Sequence, residues 1–80
     1  MPSPIVLPEL GAGSGEVRVS GWLVERGDAV EAGDRVVEVL LRGITFVVSV
    51  SESGILSHVD KERGALVSPG DLLGWIETVE

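Results

Sequence analysis

The sequence predicts an all-β fold, a sandwich or barrel with an approximate internal two-fold axis. Three observations lead there. Short runs rich in Val, Ile and Leu lie between eleven dispersed glycines, the pattern of many short strands rather than of helices. Apolar and polar residues alternate on either side of Arg42-Gly43. The two halves of the chain match each other at an offset of 37 residues.

The elements follow in order. Residues 4–7 read as a first strand, 11–15 as a flexible loop of small residues, and 16–23 as a long second strand. The best helical candidate, 22–30, is interrupted by the turn signal Gly27-Asp28. A short strand at 29–31 and a Gly33-Asp34 turn lead into the hairpin 35–41 and 44–50. Strands at 54–59, 65–67 and 71–77 complete the chain, with a loop at 61–64. Strands this short and evenly spaced suit a sandwich or barrel.

The hairpin fixes its own register. A two-residue loop at Arg42-Gly43 sets Leu41 opposite Ile44, Val39 opposite Phe46 and Val37 opposite Val48. All six are expected to point into one core. Val36, Glu38 and Leu40 then lie on the outer face, opposite Ser49, Val47 and Thr45.

The repeat supplies the two-fold. Glu25-Arg26-Gly27 matches Glu62-Arg63-Gly64, Val30 matches Val67, and Gly33-Asp34 matches Gly70-Asp71. Val36 and Val39 match Leu73 and Ile76. Neither half can bury its apolar face alone, and two halves packed together bury both.

Composition bounds the rest. Eighty residues, 44% hydrophobic and 24% charged, make one globular domain over 1–80. There is no cysteine, hence no disulfide, thiolate zinc site or cysteine nucleophile. A net charge of −7 repels phosphate backbones, so nucleic acid and anionic membranes are not expected partners. No stretch is long and apolar enough to span a bilayer. The opening Met1-Pro2-Ser3-Pro4 lacks the basic and apolar regions of a signal peptide, and a cytoplasmic protein is expected.

Residues 22–34, from Trp22-Leu23-Val24-Glu25-Arg26-Gly27-Asp28 to Ala32-Gly33-Asp34, resemble the segment before the attachment hairpin in lipoyl domains of dihydrolipoamide acyltransferases. Leu7-Pro8-Glu9-Leu10-Gly11 resembles their amino-terminal strand and loop, and Val67-Ser68-Pro69-Gly70-Asp71-Leu72-Leu73 their carboxy-terminal repeat. The resemblance covers nearly the whole chain. It implies a flattened barrel of two four-stranded sheets with quasi-two-fold symmetry, a barrel-sandwich hybrid. Biotinyl carrier domains and the glycine-cleavage H protein share that fold.

The family's chemistry depends on one lysine at the hairpin tip, acylated by lipoate or biotin and usually set in Asp-Lys-Ala. Here the tip reads Arg42-Gly43-Ile44, with Gly43 in the lysine's place. Glycine has no amine to acylate, and no bound cofactor is expected. The only lysine, Lys61, falls level with Val24 in a peripheral loop and reads as a solvated charge. Gly43 suits a turn, where glycine adopts positive φ without strain.

Other constellations carry little. Gly11-Ala12-Gly13-Ser14-Gly15 is followed by a strand, whereas a phosphate loop needs a helix there. The single histidine, His58, cannot make a transition-metal site alone. Ser49, Ser51, Ser53 and Ser57 lack a base, so no catalytic set can be assembled. Trp22 and Trp75 read as core or sheet-packing residues. The expected function is that of a non-catalytic, unlipoylated lipoyl-like domain, an interaction or scaffold module linked to 2-oxo acid dehydrogenase-type complexes. Its expected contact face is Val36, Leu40 and Val47, toward a protein partner or a second copy. The alternative is a genuine lipoyl or biotinyl carrier domain, of an acyltransferase or carboxylase, with an altered attachment site.

Overall fold

The computed structural model describes residues 1–11 and 15–78. The expected glycine loop therefore lies partly outside the described residues, at 12–14. The described residues form the strands β1 (Pro2–Val6), β2 (Val17–Trp22), β3 (Ala29–Val30), β4 (Arg35–Leu41), β5 (Ile44–Ser49), β6 (Gly54–Val59), β7 (Leu66–Val67) and β8 (Leu72–Thr78). Two four-stranded antiparallel sheets result, in the orders β1-β8-β6-β3 and β5-β4-β2-β7. Each expected strand is present; β4 and β6 have the expected bounds, and no end of the others is displaced by more than two residues.

The repeat is written into the backbone hydrogen bonds. Gly27 N–H donates to Leu56 O, and Gly64 N–H to Val19 O, both at 2.8 Å. Leu23 N–H donates to Val36 O, and Asp60 N–H to Leu73 O. In each pair, donor and acceptor are both shifted by 37 positions. The Asp34 carboxylate accepts from Glu31 N–H at 2.9 Å and the Asp71 carboxylate from Ser68 N–H at 2.8 Å, closing matched turns. Even the irregularities repeat, with register shifts between Val19 and Gly21 in β2 and between Leu56 and His58 in β6.

Each half lends a two-residue strand to the other. β3, from the first half, pairs with β6, and β7, from the second, pairs with β2. Between the sheets, Leu7, Val19, Val37, Val39, Leu41, Leu56, Leu73 and Ile76 are almost wholly buried. Side chains of this size contribute about 1.5–3 kcal/mol each on burial.

One expectation for the core needs correction. Ile44 does not enter it and is 54% exposed. It is the first residue of an edge strand, beside the turn, and among the described residues has a strand neighbour on one side only. Of the two tryptophans expected in the core or packed on a sheet, Trp75 takes the sheet position, half-buried on the outer face between Pro4 and His58. Trp22 does pack against the core, and its indole N–H donates to Lys61 O at 2.8 Å.

The symmetry breaks where space runs out. Gly74 is the mate of Val37, and a Cβ there would lie 2.5 Å from His58 O and 3.0 Å from the Trp22 ring. A Cβ at Gly54, the mate of Val17, would collide with Glu77 O. Overpacking of this kind costs about 1–3 kcal/mol. Gly74→Ala is expected to lower the thermal midpoint by about 4–24 °C, taking 4–8 °C per kcal/mol for a small domain. Gly21→Ala, where a Cβ meets nothing within 4 Å, should lower it far less; thermal unfolding followed by circular dichroism compares the two.

Candidate functional site

The β4–β5 hairpin has the register that its sequence dictates. Leu41 pairs with Ile44, Leu40 with Thr45, Val39 with Phe46, Glu38 with Val47 and Val37 with Val48. The tip is the two-residue turn Arg42-Gly43, with φ of 53° and 79°. Two successive positive φ values mark a type I′ turn, whose twist matches that of the flanking strands. Arg42 is the one described residue other than glycine with positive φ, a conformation that costs about 1–2 kcal/mol. A Cβ at Gly43 would meet nothing within 4 Å. The tip is thus open to solvent and limited by backbone conformation, not by space.

No lysine stands in this turn. Lys61 lies in the β6–β7 connection, where its carbonyl accepts the Trp22 indole N–H and its own N–H donates to Leu73 O at 3.1 Å. Trp22 is at the far end of β2 from Val17, the residue that pairs with Leu41 beside the tip. Five residues of strand separate the two, about 17 Å. Lys61 therefore belongs to the opposite end of the sheet.

The outer face beside the tip differs from expectation at one position. Leu40 and Val47 are 39% and 40% exposed and sit diagonally across the β4–β5 pair. Val36 is not on this face, with 0% exposure. The register shifts between Arg35 and Val37, so that Arg35, not Val36, faces Ser49. This bulge sends the Val36 and Val37 side chains both into the core. Its mate is the Leu73 bend in β8, likewise buried.

Sequence reasoning missed Leu66, which is 53% exposed. β7 pairs with β2, so Leu66 faces Arg18, which in turn faces Leu40. The Arg18 guanidinium between them donates to Gly64 O at 2.9 Å and to Glu16 at 3.2 Å. Leu40 and Leu66 are thus separated by a pinned cation. The signal for Leu66 lay in the pairing of β7, which nothing local encodes.

Among the described residues, no three His, Cys, Asp or Glu side chains converge as a metal site would require. A hollow on the outer face of the β1-β8-β6-β3 sheet is open and lined by Pro2, Ser57, His58, Asp60, Trp75 and Glu77. The His58 ring shares a 3.2 Å contact with the Ser57 hydroxyl, and among the described residues no carboxylate hydrogen-bonds to it.

Residues 3–76 match the family described as "Biotin-requiring enzyme", the biotin/lipoyl family. The chain belongs to that family, and it is a lipoyl-type domain of the kind found in dihydrolipoamide acyltransferases. Such a domain is a carrier module, not itself catalytic, and the family normally carries lipoate or biotin. It is 33% identical, over 72 residues, to the dihydrolipoyllysine-residue succinyltransferase component of the 2-oxoglutarate dehydrogenase complex of Bacillus subtilis, covering 90% of this chain and 17% of that protein. The fold is similar to that of the lipoyl domain of the 2-oxoglutarate dehydrogenase complex from Azotobacter vinelandii, with a TM-score of 0.71 at 22% identity over 94% of this chain and 99% of that one. It is similar also to part of the Kluyveromyces lactis urea carboxylase, with a TM-score of 0.81 at 25% identity over 96% of this chain and 6% of that one. The chain spans less than a fifth of the length of the curated relatives it matches.

The bulge sets Val36 in β4 apart from Leu40 in β4 and Val47 in β5. Leu40→Glu and Val47→Glu, on an exposed surface, are expected to change stability by less than about 0.5 kcal/mol. Val36→Glu buries an unpaired carboxylate and should cost more than about 4 kcal/mol, enough to unfold much of a small domain. Urea unfolding of the three variants measures the difference.

Proposed function

We propose that this domain is a non-catalytic member of the biotin/lipoyl family that carries neither lipoate nor biotin and acts as an interaction or scaffold module. The observation that carries the reading is the tip: Arg42-Gly43 fills the whole two-residue turn, and the sole lysine is Lys61. Amide formation needs a primary amine, and Gly43 has no side chain to supply one. The turn is nevertheless well formed, so the hairpin keeps its geometry without the handle. Leu40 and Val47 on the adjoining face give it an apolar surface for contact instead. The names of its relatives support an association with a 2-oxo acid dehydrogenase-type assembly.

Co-expression with lipoate and biotin ligases, together with a substrate domain as positive control, tests the reading. Intact-mass spectrometry is expected to return the unmodified chain while the control is modified. A gain of one lipoyl or biotinyl group, mapped to Lys61, would overturn the proposal and make the domain a carrier with a displaced attachment site.

A further inference from the structure

We infer that the free edge of β5 is a pairing surface for a second copy of this chain. This rests on the reading of the hairpin as a contact surface, and it names the partner. A sheet edge presents unpaired N–H and C=O groups, which folded proteins shield with proline, charge or brevity. β3 and β7 have two residues each. β1 contains Pro2 and Pro4. β5, Ile44–Ser49, is six residues long and has neither proline nor charge.

The internal two-fold sharpens this contrast. Pro2 faces Glu77 and Pro4 faces Trp75 across β1 and β8, while Thr45 faces Leu40 and Val47 faces Glu38 across β5 and β4. Glu77 and Trp75 lie 37 positions beyond Leu40 and Glu38. Pro2 and Pro4 are therefore the symmetry mates of Thr45 and Val47. In a two-residue hairpin the residues flanking the turn form a hydrogen-bonded pair, and bonded and non-bonded pairs alternate from there. Leu41–Ile44, Val39–Phe46 and Val37–Val48 are then the bonded pairs. The N–H and C=O of Thr45 and Val47 point away from β4. One edge has prolines where the outward donors would be, and its mate keeps both donors.

The β5 edge is complementary to itself. Antiparallel pairing about a two-fold axis at Val47 lets the two Val47 residues exchange N–H···O bonds. Thr45 then bonds Ser49 of the second copy, and the same register brings Phe46 beside Val48 and Ile44 beside Val50. Apolar area still exposed at Ile44 and Val47 becomes covered. The positively charged Arg42 turn of one copy approaches the Glu52 corner of the other, twice by symmetry. Each chain offers one such edge, so the assembly closes at two copies.

The absence of native cysteine allows a direct test. Val47→Cys should form a disulfide-linked dimer on mild oxidation, because Cα atoms about 5.5 Å apart in a bonded pair suit a disulfide. Thr45→Cys, displaced from its own copy by four residues of strand, should cross-link at least tenfold less. Wild-type chain should sediment as a concentration-dependent dimer between micromolar and millimolar levels. Val47→Pro should be monomeric with native circular dichroism, since the fold already accepts proline at the equivalent Pro4. A wild-type monomer throughout that range, or equal cross-linking of the two cysteine variants, would overturn the inference. Either result leaves the intact-mass reading of the tip standing, and a modified mass leaves the sedimentation result standing.

Discussion

The structure depends on an exchange between its halves. Gly27 N–H to Leu56 O and Gly64 N–H to Val19 O are one interaction made twice. Each fastens the turn of one half onto the bulged strand of the other. β3 and β7 are too short to stand alone, and each completes a sheet whose long strand comes from the opposite half. The core follows from this, because Val19 and Leu56, the acceptors, are also among its most buried side chains. Fixing the backbone there fixes the distance between the sheets.

Much of this was legible in the sequence, for identifiable reasons. A two-residue loop and strict alternation leave one register for the β4–β5 hairpin, and the 37-residue offset gives the two-fold. What escaped was governed by single insertions and by the ends of elements. Val36 and Val37 are chemically alike, so nothing in the residues themselves marks the bulge that turns both inward. Ile44 fits the alternation, yet an edge position beside a turn leaves it without neighbours on one side. For Trp75 the repeat decides between core and sheet. The offset maps it onto Glu38, an outer-face residue, and the repeat was a better guide than the size of the ring.

The tip shows how little the fold asks of its most exposed point. The Arg42-Gly43 turn needs only two residues of positive φ, and the strands on either side are held by β2 and by the core. Chemistry at the tip and stability of the barrel are thus separable. Within this family the strands that frame the turn, and the face bearing Leu40 and Val47, are held by pairing and packing away from the tip. The same separation leaves the edge of β5 to be shaped independently of its mate, β1.

The exchange of short strands also governs the order of events during synthesis. β2 cannot gain its outer neighbour until Leu66 and Val67 have been made, some 45 residues after β2 itself. The first half leaves the ribosome with that side of its sheet bare and its turn at Gly27 lacking Leu56. Non-local closures of this kind make folding wait for the chain. Neither sheet of the barrel can be completed before β7 has been made.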